Sequence, residues 1–316
     1  MIFRFFKNEF SIYKAVNYIS RKISLALFYN IQPISFVIFN KLYKKIILER
    51  VINDSEMSFY FNNGFVKLKI NLKNEIKKYK KNFFIKKNND IKSKTVNFYL
   101  SEKKKKLFLD EIKKKLKPLI SKLENNFNCE VHYSLFQVFR NYHIENKFDL
   151  KKQYYADHYH QDSYLMTYHK IFVNLMDINI EDGPLHVVPI NNLKKFCKSF
   201  NYKDNHNYSF SGDEKLVYKN TGKLGDCFLF SSTEVIHKAG IPKNFRDALI
   251  ITLVTIPKKN LNKFNLKKNI DLDQFNEPHS KNLKKIIKPY KILDIIKLFK
   301  MYFFYKKDYL NKSDKY

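Results

Sequence analysis

Residues 160–189 read HQDSYLMTYHKIFVNLMDINIEDGPLHVVP. Residues 165–178 (Leu165 to Ile178) form an apolar, strand-rich run. The turn Glu181-Asp182-Gly183-Pro184 interrupts it, the strand Leu185 to Val188 follows, and Pro189 ends that strand. A second turn, Gly222-Lys223-Leu224-Gly225-Asp226, leads into Cys227-Phe228-Leu229-Phe230. His237 and Gly240 close that hairpin, and Arg246 opens the strand Ala248 to Ile256. Upstream, strand character also runs from Val131 to Tyr142. Five of the six glycines (Gly183, Gly212, Gly222, Gly225 and Gly240) fall between 183 and 240, where hairpins call for positive φ. The middle of the chain is therefore a β-rich core.

Three residues of that core invite a metal. On a strand, His160 and Asp162 point to the same face, because side chains alternate with period 2. A second histidine from a distant strand, His237, can complete a face of two imidazoles and one carboxylate. Such a face holds non-haem Fe(II) and leaves coordination positions open. Arg246 can then grip a carboxylate-bearing co-substrate with its planar fork. The triplet has rivals. His143-Ile144-Glu145 has similar chemistry, His158 shares the alternation with His160, and His169, His186 and His206 compete with His237. His237 is preferred because it follows the Gly225-Asp226 turn and its strand and precedes Arg246.

The order of these pieces resembles the phytanoyl-CoA dioxygenase family of Fe(II)/2-oxoglutarate oxygenases. The resemblance rests on His160-Gln161-Asp162, Gly183-Pro184-Leu185 with Val187-Val188-Pro189, Gly225-Asp226, His237, and Arg246 nine residues later. It covers roughly residues 130–257. It departs at Ile190-Asn191-Asn192, where the family usually has Gly-Ser-His after Val-Pro. The resemblance implies a double-stranded β-helix, the jelly roll of cupins, mainly β with helical N- and C-terminal additions. It implies His160, Asp162 and His237 as ligands of Fe(II), with 2-oxoglutarate and O2 as co-substrates. Arg246 would bind the distal carboxylate of 2-oxoglutarate, and Gln137 and Asn141, on the preceding strand, would help to hold it. Phe172 would wall the substrate pocket. The implied reaction hydroxylates an aliphatic C–H of a small metabolite or an acyl- or osmolyte-like substrate, releasing succinate and CO2. Halogenating relatives lack the carboxylate, so Asp162 favours hydroxylation or a related C–H oxidation over halogenation.

Composition narrows the alternatives. The 316 residues carry a formal net charge of +30, which invites a nucleic-acid or membrane reading. Yet only five of the 60 basic residues are arginine (Arg4, Arg21, Arg50, Arg140 and Arg246), and tryptophan is absent. That pattern fits coding bias better than a phosphate-reading surface, which would use arginine. The three cysteines, Cys129, Cys197 and Cys227, make no disulfide framework and suit a reducing cytoplasm. No apolar run reaches transmembrane length.

Three regions follow. Residues 1–127 are a helical N-terminal region packing on the core, with a break near Pro33, a turn at Asn62-Asn63-Gly64, and an amphipathic helix from Lys103 to Phe127 that Pro118 should kink or split. Residues 128–257 are the β-helix core. Residues 258–316 are a polar linker followed by a basic apolar helix over 284–307. That helix and residues 1–50 could lie on an anionic membrane surface. Two further readings of the whole chain are a non-catalytic jelly roll that binds a ligand, and a basic membrane- or nucleic-acid-associated protein.

Overall fold

A computed structural model of the chain describes residues 12–30, 32, 34–47, 54–85, 94–127, 129–144, 156–162, 168–196, 200–202, 208–210 and 213–258. The expected linker and C-terminal helix, together with His206, Glu145 and Cys197, lie outside the described residues.

Among the described residues, four helices and three strands precede the long helix that begins at Glu102: α1 (Ile12–Phe28), α2 (Ile34–Ile47), α3 (Ser55–Asn63), β1 (Phe65–Asn71), α4 (Lys73–Lys80), β2 (Phe84–Ile85) and β3 (Thr95–Tyr99). The chain leaves helix between Phe28 and Ile34, as the proline there predicts. Asp54 caps α3 by accepting from the Met57 N–H at 3.0 Å, and Gly64 ends it in the left-handed region. The long helix α5 (Glu102–Asn126) is not split at Pro118. Pro118 and Lys114 are both exposed, so the carbonyl that loses its N–H partner can turn to water.

The core strands are β4 (Cys129–Tyr142), β5 (Tyr168–Asn174), β6 (Leu185–Val188), β7 (Phe200–Tyr202), β8 (Tyr208–Phe210), β9 (Tyr218–Asn220), β10 (Asp226–Phe230), β11 (Ile236–Ala239) and β12 (Phe245–Pro257), with the short helix α6 (Leu193–Phe196) after β6. Seven strands make one sheet in the order β1-β10-β5-β12-β4-β3-β2, and three make a second in the order β11-β6-β9. A bridge between His160 and His237 adds the segment 156–162 beside β11. All pairings are antiparallel. With the segment 156–162 counted, and apart from β6 and β9, which share the smaller sheet, and the separate hairpin β7-β8, the strands from β4 to β12 alternate between two facing sheets, which is the double-stranded β-helix. The segment before residue 128 also lengthens the larger sheet, because β1 pairs with β10 and β3 with β4.

Period-2 alternation divides the larger sheet into two faces. Ile171, Val173, Leu249, Ile251, Cys227 and Leu229 face outward and pack with residues of α2, α3, α4 and α5 in one large apolar cluster. Phe172, Ala248, Phe228 and Phe230 face inward and meet Leu185, Val187 and Val235 between the sheets. Each large apolar side chain buried in this way is worth about 1.5–3 kcal/mol. Helices thus shield the outer face, and the space between the sheets is left for a cavity.

One polar cluster interrupts the helix-covered face. His169 is buried, its Nδ1 is 2.5 Å from the Tyr60 hydroxyl, and its Nε2 is 3.3 Å from Thr255 Oγ1. Tyr43 donates to the Thr255 carbonyl at 3.0 Å. Burial pushes the His169 imidazole down to about 4. The unfolded chain therefore binds a proton near pH 6.5 that the native state refuses. Stability is complete above about 6.5 and falls as the pH drops toward 4, by about 3 kcal/mol for this one group. Urea unfolding between pH 7 and 4.5 should show that slope, and His169→Leu should flatten it by close to one proton, whatever the variant's stability at pH 7. An unaltered slope would mean that His169 is charged in the native protein.

Candidate metal centre

The strand pairing that closes the smaller sheet also assembles the centre. The His160 N–H donates to the His237 carbonyl at 2.9 Å, and the His237 N–H donates back at 2.8 Å. Directly opposed residues of an antiparallel pair share a face, and the two imidazoles come to 4.4 Å between centroids. Asp162, two residues on, turns to the same side. Its Oδ1 lies 3.6 Å from His160 Nε2 and 3.9 Å from His237 Nε2. The three ligand atoms all lie within 4.8 Å of one another, and among the described residues they are the only such group of three.

Both histidines are oriented in the same way. His160 Nδ1 is 2.7 Å from the carbonyl of His158, and His237 Nδ1 is 3.3 Å from the carbonyl of Val235, in each case two residues back. A carbonyl can only accept, so each Nδ1 carries a hydrogen and each Nε2 is the nitrogen turned to the site. Burial, with His160 alongside, pushes the His237 imidazole down to about 3, so it stays neutral, as a ligand must. Burial alone would raise the Asp162 carboxyl. The Lys170 ammonium and the two histidines outweigh it and hold the group well below the usual carboxylate range. Bonds of about 2.1 Å at right angles set donor atoms about 3 Å apart. The two distances to Oδ1 come within about 1 Å of that spacing, so a metal ion of this class fits the donor set after a small contraction.

Backbone contacts hold Asp162 from both sides. Its N–H donates to the Ser232 carbonyl at 2.9 Å, and its carbonyl accepts from the side chain of Gln32. Gln32, fully buried between α1 and α2, also donates to the Thr233 carbonyl at 2.9 Å and accepts from Asn40 at 3.0 Å. Gln161 donates to the Glu234 carbonyl at 2.7 Å. The loop 231–235 is thus tied to Gln161 and Asp162 by backbone and amide groups.

The triad opens into a cavity of about 240 Å³. Arg246, Gln137, Asn141 and Phe172 all line it from the larger sheet, alongside Thr95, Phe139, Lys170, Phe230 and Ile250. Arg246 is 1% exposed; one guanidinium nitrogen donates to the Gly183 carbonyl, and the group lies 5.5 Å over the Phe172 ring. Gly183 sits at φ +63, and a Cβ there would lie 2.5 Å from the backbone of Ile241 and Pro242, so only glycine brings its carbonyl this close. Asn141 stands opposite Arg246 in the ladder and accepts from Thr95 Oγ1 at 3.0 Å, and Gln137 donates to Asn97 at 3.2 Å.

The rival histidines are elsewhere. His143 bonds the Pro242 carbonyl at 2.8 Å and, like His186, lines an outer groove. His186 stands 3.1 Å from the Tyr159 hydroxyl. His169 is under the helices. His158 serves the centre only through its carbonyl. Lys170 was not among the residues picked from the sequence, yet its Nζ is 2.5 Å from Asp162 Oδ2. The alternation that turns Phe172 inward also turns residue 170 inward, and that was the available signal.

No protein-family model matches this chain, and no curated protein matches it. Similar solved structures include the epimerase SnoN in complex with Fe3+, alpha ketoglutarate and nogalamycin RO, at 12% identity over 63% of this chain and 82% of that one, with a TM-score of 0.41. EvdO2 from Micromonospora carbonacea var. aurantiaca, complexed with 2-oxoglutarate, is 13% identical over 67% of this chain and 94% of its own, with a TM-score of 0.41. EctD from S. alaskensis, with 2-oxoglutarate and 5-hydroxyectoine, is 12% identical over 66% and 80%, with a TM-score of 0.40.

Asp162→Ala removes the only anionic donor of the three. Its divalent-metal affinity should drop by at least about tenfold, the scale seen when a metal site is disturbed. Calorimetric titration with Co(II) under anaerobic conditions measures it. Parent-like binding would assign the metal to another carboxylate.

Proposed function

We propose that this chain is an Fe(II)- and 2-oxoglutarate-dependent oxygenase that hydroxylates an aliphatic C–H bond of a small metabolite or of an acyl- or osmolyte-like substrate. The observation that carries the reading is the convergence of His160 Nε2, His237 Nε2 and Asp162 Oδ1 on one side of the cavity that the buried Arg246 lines from the other sheet. Two imidazoles and one carboxylate on a single face suit Fe(II) and leave its remaining positions open. Bound there, the iron supplies, with oxygen and 2-oxoglutarate, an oxidant able to take hydrogen from an unactivated carbon. The exchange balances as substrate C–H, O2 and 2-oxoglutarate giving the alcohol, succinate and CO2.

The chain's own part is to bind, orient and keep water out. His160 and His237 have their Nδ1 hydrogens committed to carbonyls, which leaves each Nε2 to face the site. Asp162 offers one negative charge, and a side-chain carboxylate at this position leaves no room there for a halide, which favours hydroxylation over halogenation. Arg246 meets the distal carboxylate of 2-oxoglutarate with two parallel hydrogen bonds. Gln137 and Asn141 add amide contacts to the same co-substrate. Phe172, Phe230 and Ile250 give the cavity apolar walls that exclude water and receive the aliphatic part of a substrate.

Anaerobic addition of Fe(II) and then 2-oxoglutarate should raise a visible metal-to-ligand charge-transfer band. A folded protein that gives no band is not such an oxygenase. Arg246→Lys keeps the charge and loses the fork. It should raise the KM for 2-oxoglutarate by the equivalent of about 1.5–3 kcal/mol, the scale of a charged hydrogen bond, while sparing Fe(II) affinity. Lys104→Ala, on the exposed side of α5, should change neither. If Arg246→Lys binds 2-oxoglutarate as the parent does, the co-substrate is held by other residues or is a different compound.

A further inference from the structure

The cavity contains one cation that the proposed chemistry does not use. Lys170 enters from β5, between Phe230 of β10 and Thr252 of β12 in the ladder. Its side chain is 16% exposed, and its Nζ lies 2.5 Å from Oδ2 of Asp162. The other oxygen of the same carboxylate, Oδ1, faces both histidines. The two oxygens are therefore divided between two tasks. The backbone of Asp162 is held by Ser232 and Gln32, but those bonds leave the side chain free to rotate. Lys170 supplies the contact that fixes which oxygen looks at the histidines.

A carboxylate can give a cation one oxygen or both. If Oδ2 were released, Asp162 could turn and chelate through both oxygens, which would fill a position that a chelating co-substrate needs. A lysine serves as a pin because its ammonium is a compact charge on a long stem and reaches the carboxylate from the opposite sheet. We propose that Lys170 is a positioning residue: it holds Asp162 to one-oxygen ligation and thereby keeps a coordination position open for 2-oxoglutarate. The inference rests on the iron reading above.

Co(II), which takes the same ligands and does not turn over, provides the test. The full-length protein, Lys170→Met and Lys170→Arg are each titrated with Co(II) and then with 2-oxoglutarate, and their Co(II) complexes are crystallised. Lys170→Met should keep its Co(II) affinity, bind 2-oxoglutarate about tenfold more weakly, and have both Asp162 oxygens on the metal. Lys170→Arg should restore one-oxygen ligation and most of the 2-oxoglutarate affinity. If Lys170→Met does not fold, Lys170→Gln, which keeps the length and loses the charge, carries the same expectation. Unchanged 2-oxoglutarate affinity in the uncharged variant overturns the proposal. So does weaker 2-oxoglutarate binding with Asp162 still giving one oxygen, because Lys170 would then touch the co-substrate itself. Failure of the parent protein to bind Co(II) overturns the iron reading and this one with it. Parent binding with a parent-like Lys170→Met overturns only the role of Lys170.

Discussion

The centre hangs on the two backbone hydrogen bonds that His160 and His237 exchange. They join segments more than seventy residues apart and fix the register between them. A slip of one residue would turn an imidazole to the outer face of the smaller sheet, toward the groove where His186 and Lys238 stand. Beyond this pair the ladder stops: the Asp162 N–H reaches the Ser232 carbonyl, and the Val235 N–H bonds back to Ser231 within its own loop. The loop is therefore compact where the triplet passes, and Asp162 is drawn in toward the histidines. The same local pairing thus sets the register, ends the strand and orients Asp162.

A charge cluster of this kind is a poor way to stabilise a fold. Removing Asp162, Lys170 and Arg246 from water costs several kcal/mol per ion, and an apolar filling of the same space is commonly as stable or more so. The rest of the space between the sheets shows that this chain can build such a filling: Phe65, Phe228 and Tyr218 stack there with centroids 4.9–5.5 Å apart. Arg140 offers a contrast. It makes a two-pronged pair with Asp247 at 2.6 and 2.9 Å on the outer side of the same strands and lies 4.0 Å over Phe245. That pair is satisfied and closed. The cavity charges instead line a space of about 240 Å³ between the sheets.

Much of this was legible in residues 160–257, where strand alternation, glycine turns and the order His, Asp, His, Arg speak with one voice. His160, Asp162, His237, Arg246, Gln137, Asn141 and Phe172 all line one cavity because period 2 is a strict geometric rule that a sequence carries openly. Lys170 was hidden by composition: lysine is so abundant here that one more on a strand carries little information, although its phase with Phe172 placed it inward. Gln32 was illegible for another reason. Its bond to the Asp162 carbonyl spans 130 residues, and nothing local distinguishes a glutamine beside a helix break from a solvent-exposed one. The strands β1 and β3 show the same limit. Alternation over 65–70 announces a strand, but which edge it joins is decided by shape complementarity between distant surfaces.

The place of β12 in the larger sheet governs how the protein must come together. This strand, the last among the described residues, lies in the middle, with β5 on one side and β4 on the other. A chain emerging from the ribosome can make β4 early and β5 some thirty residues later, yet these two strands share no hydrogen bonds and must wait for the strand that separates them. One edge of each stays unpaired until residues 245–257 arrive. Folding is thus forced toward a late, cooperative closure with high contact order, slow by comparison with helical proteins of this size. During translation the half-made barrel is vulnerable to aggregation, and the lysines scattered along the chain would then serve as solubilising charges before they have any role in the finished fold.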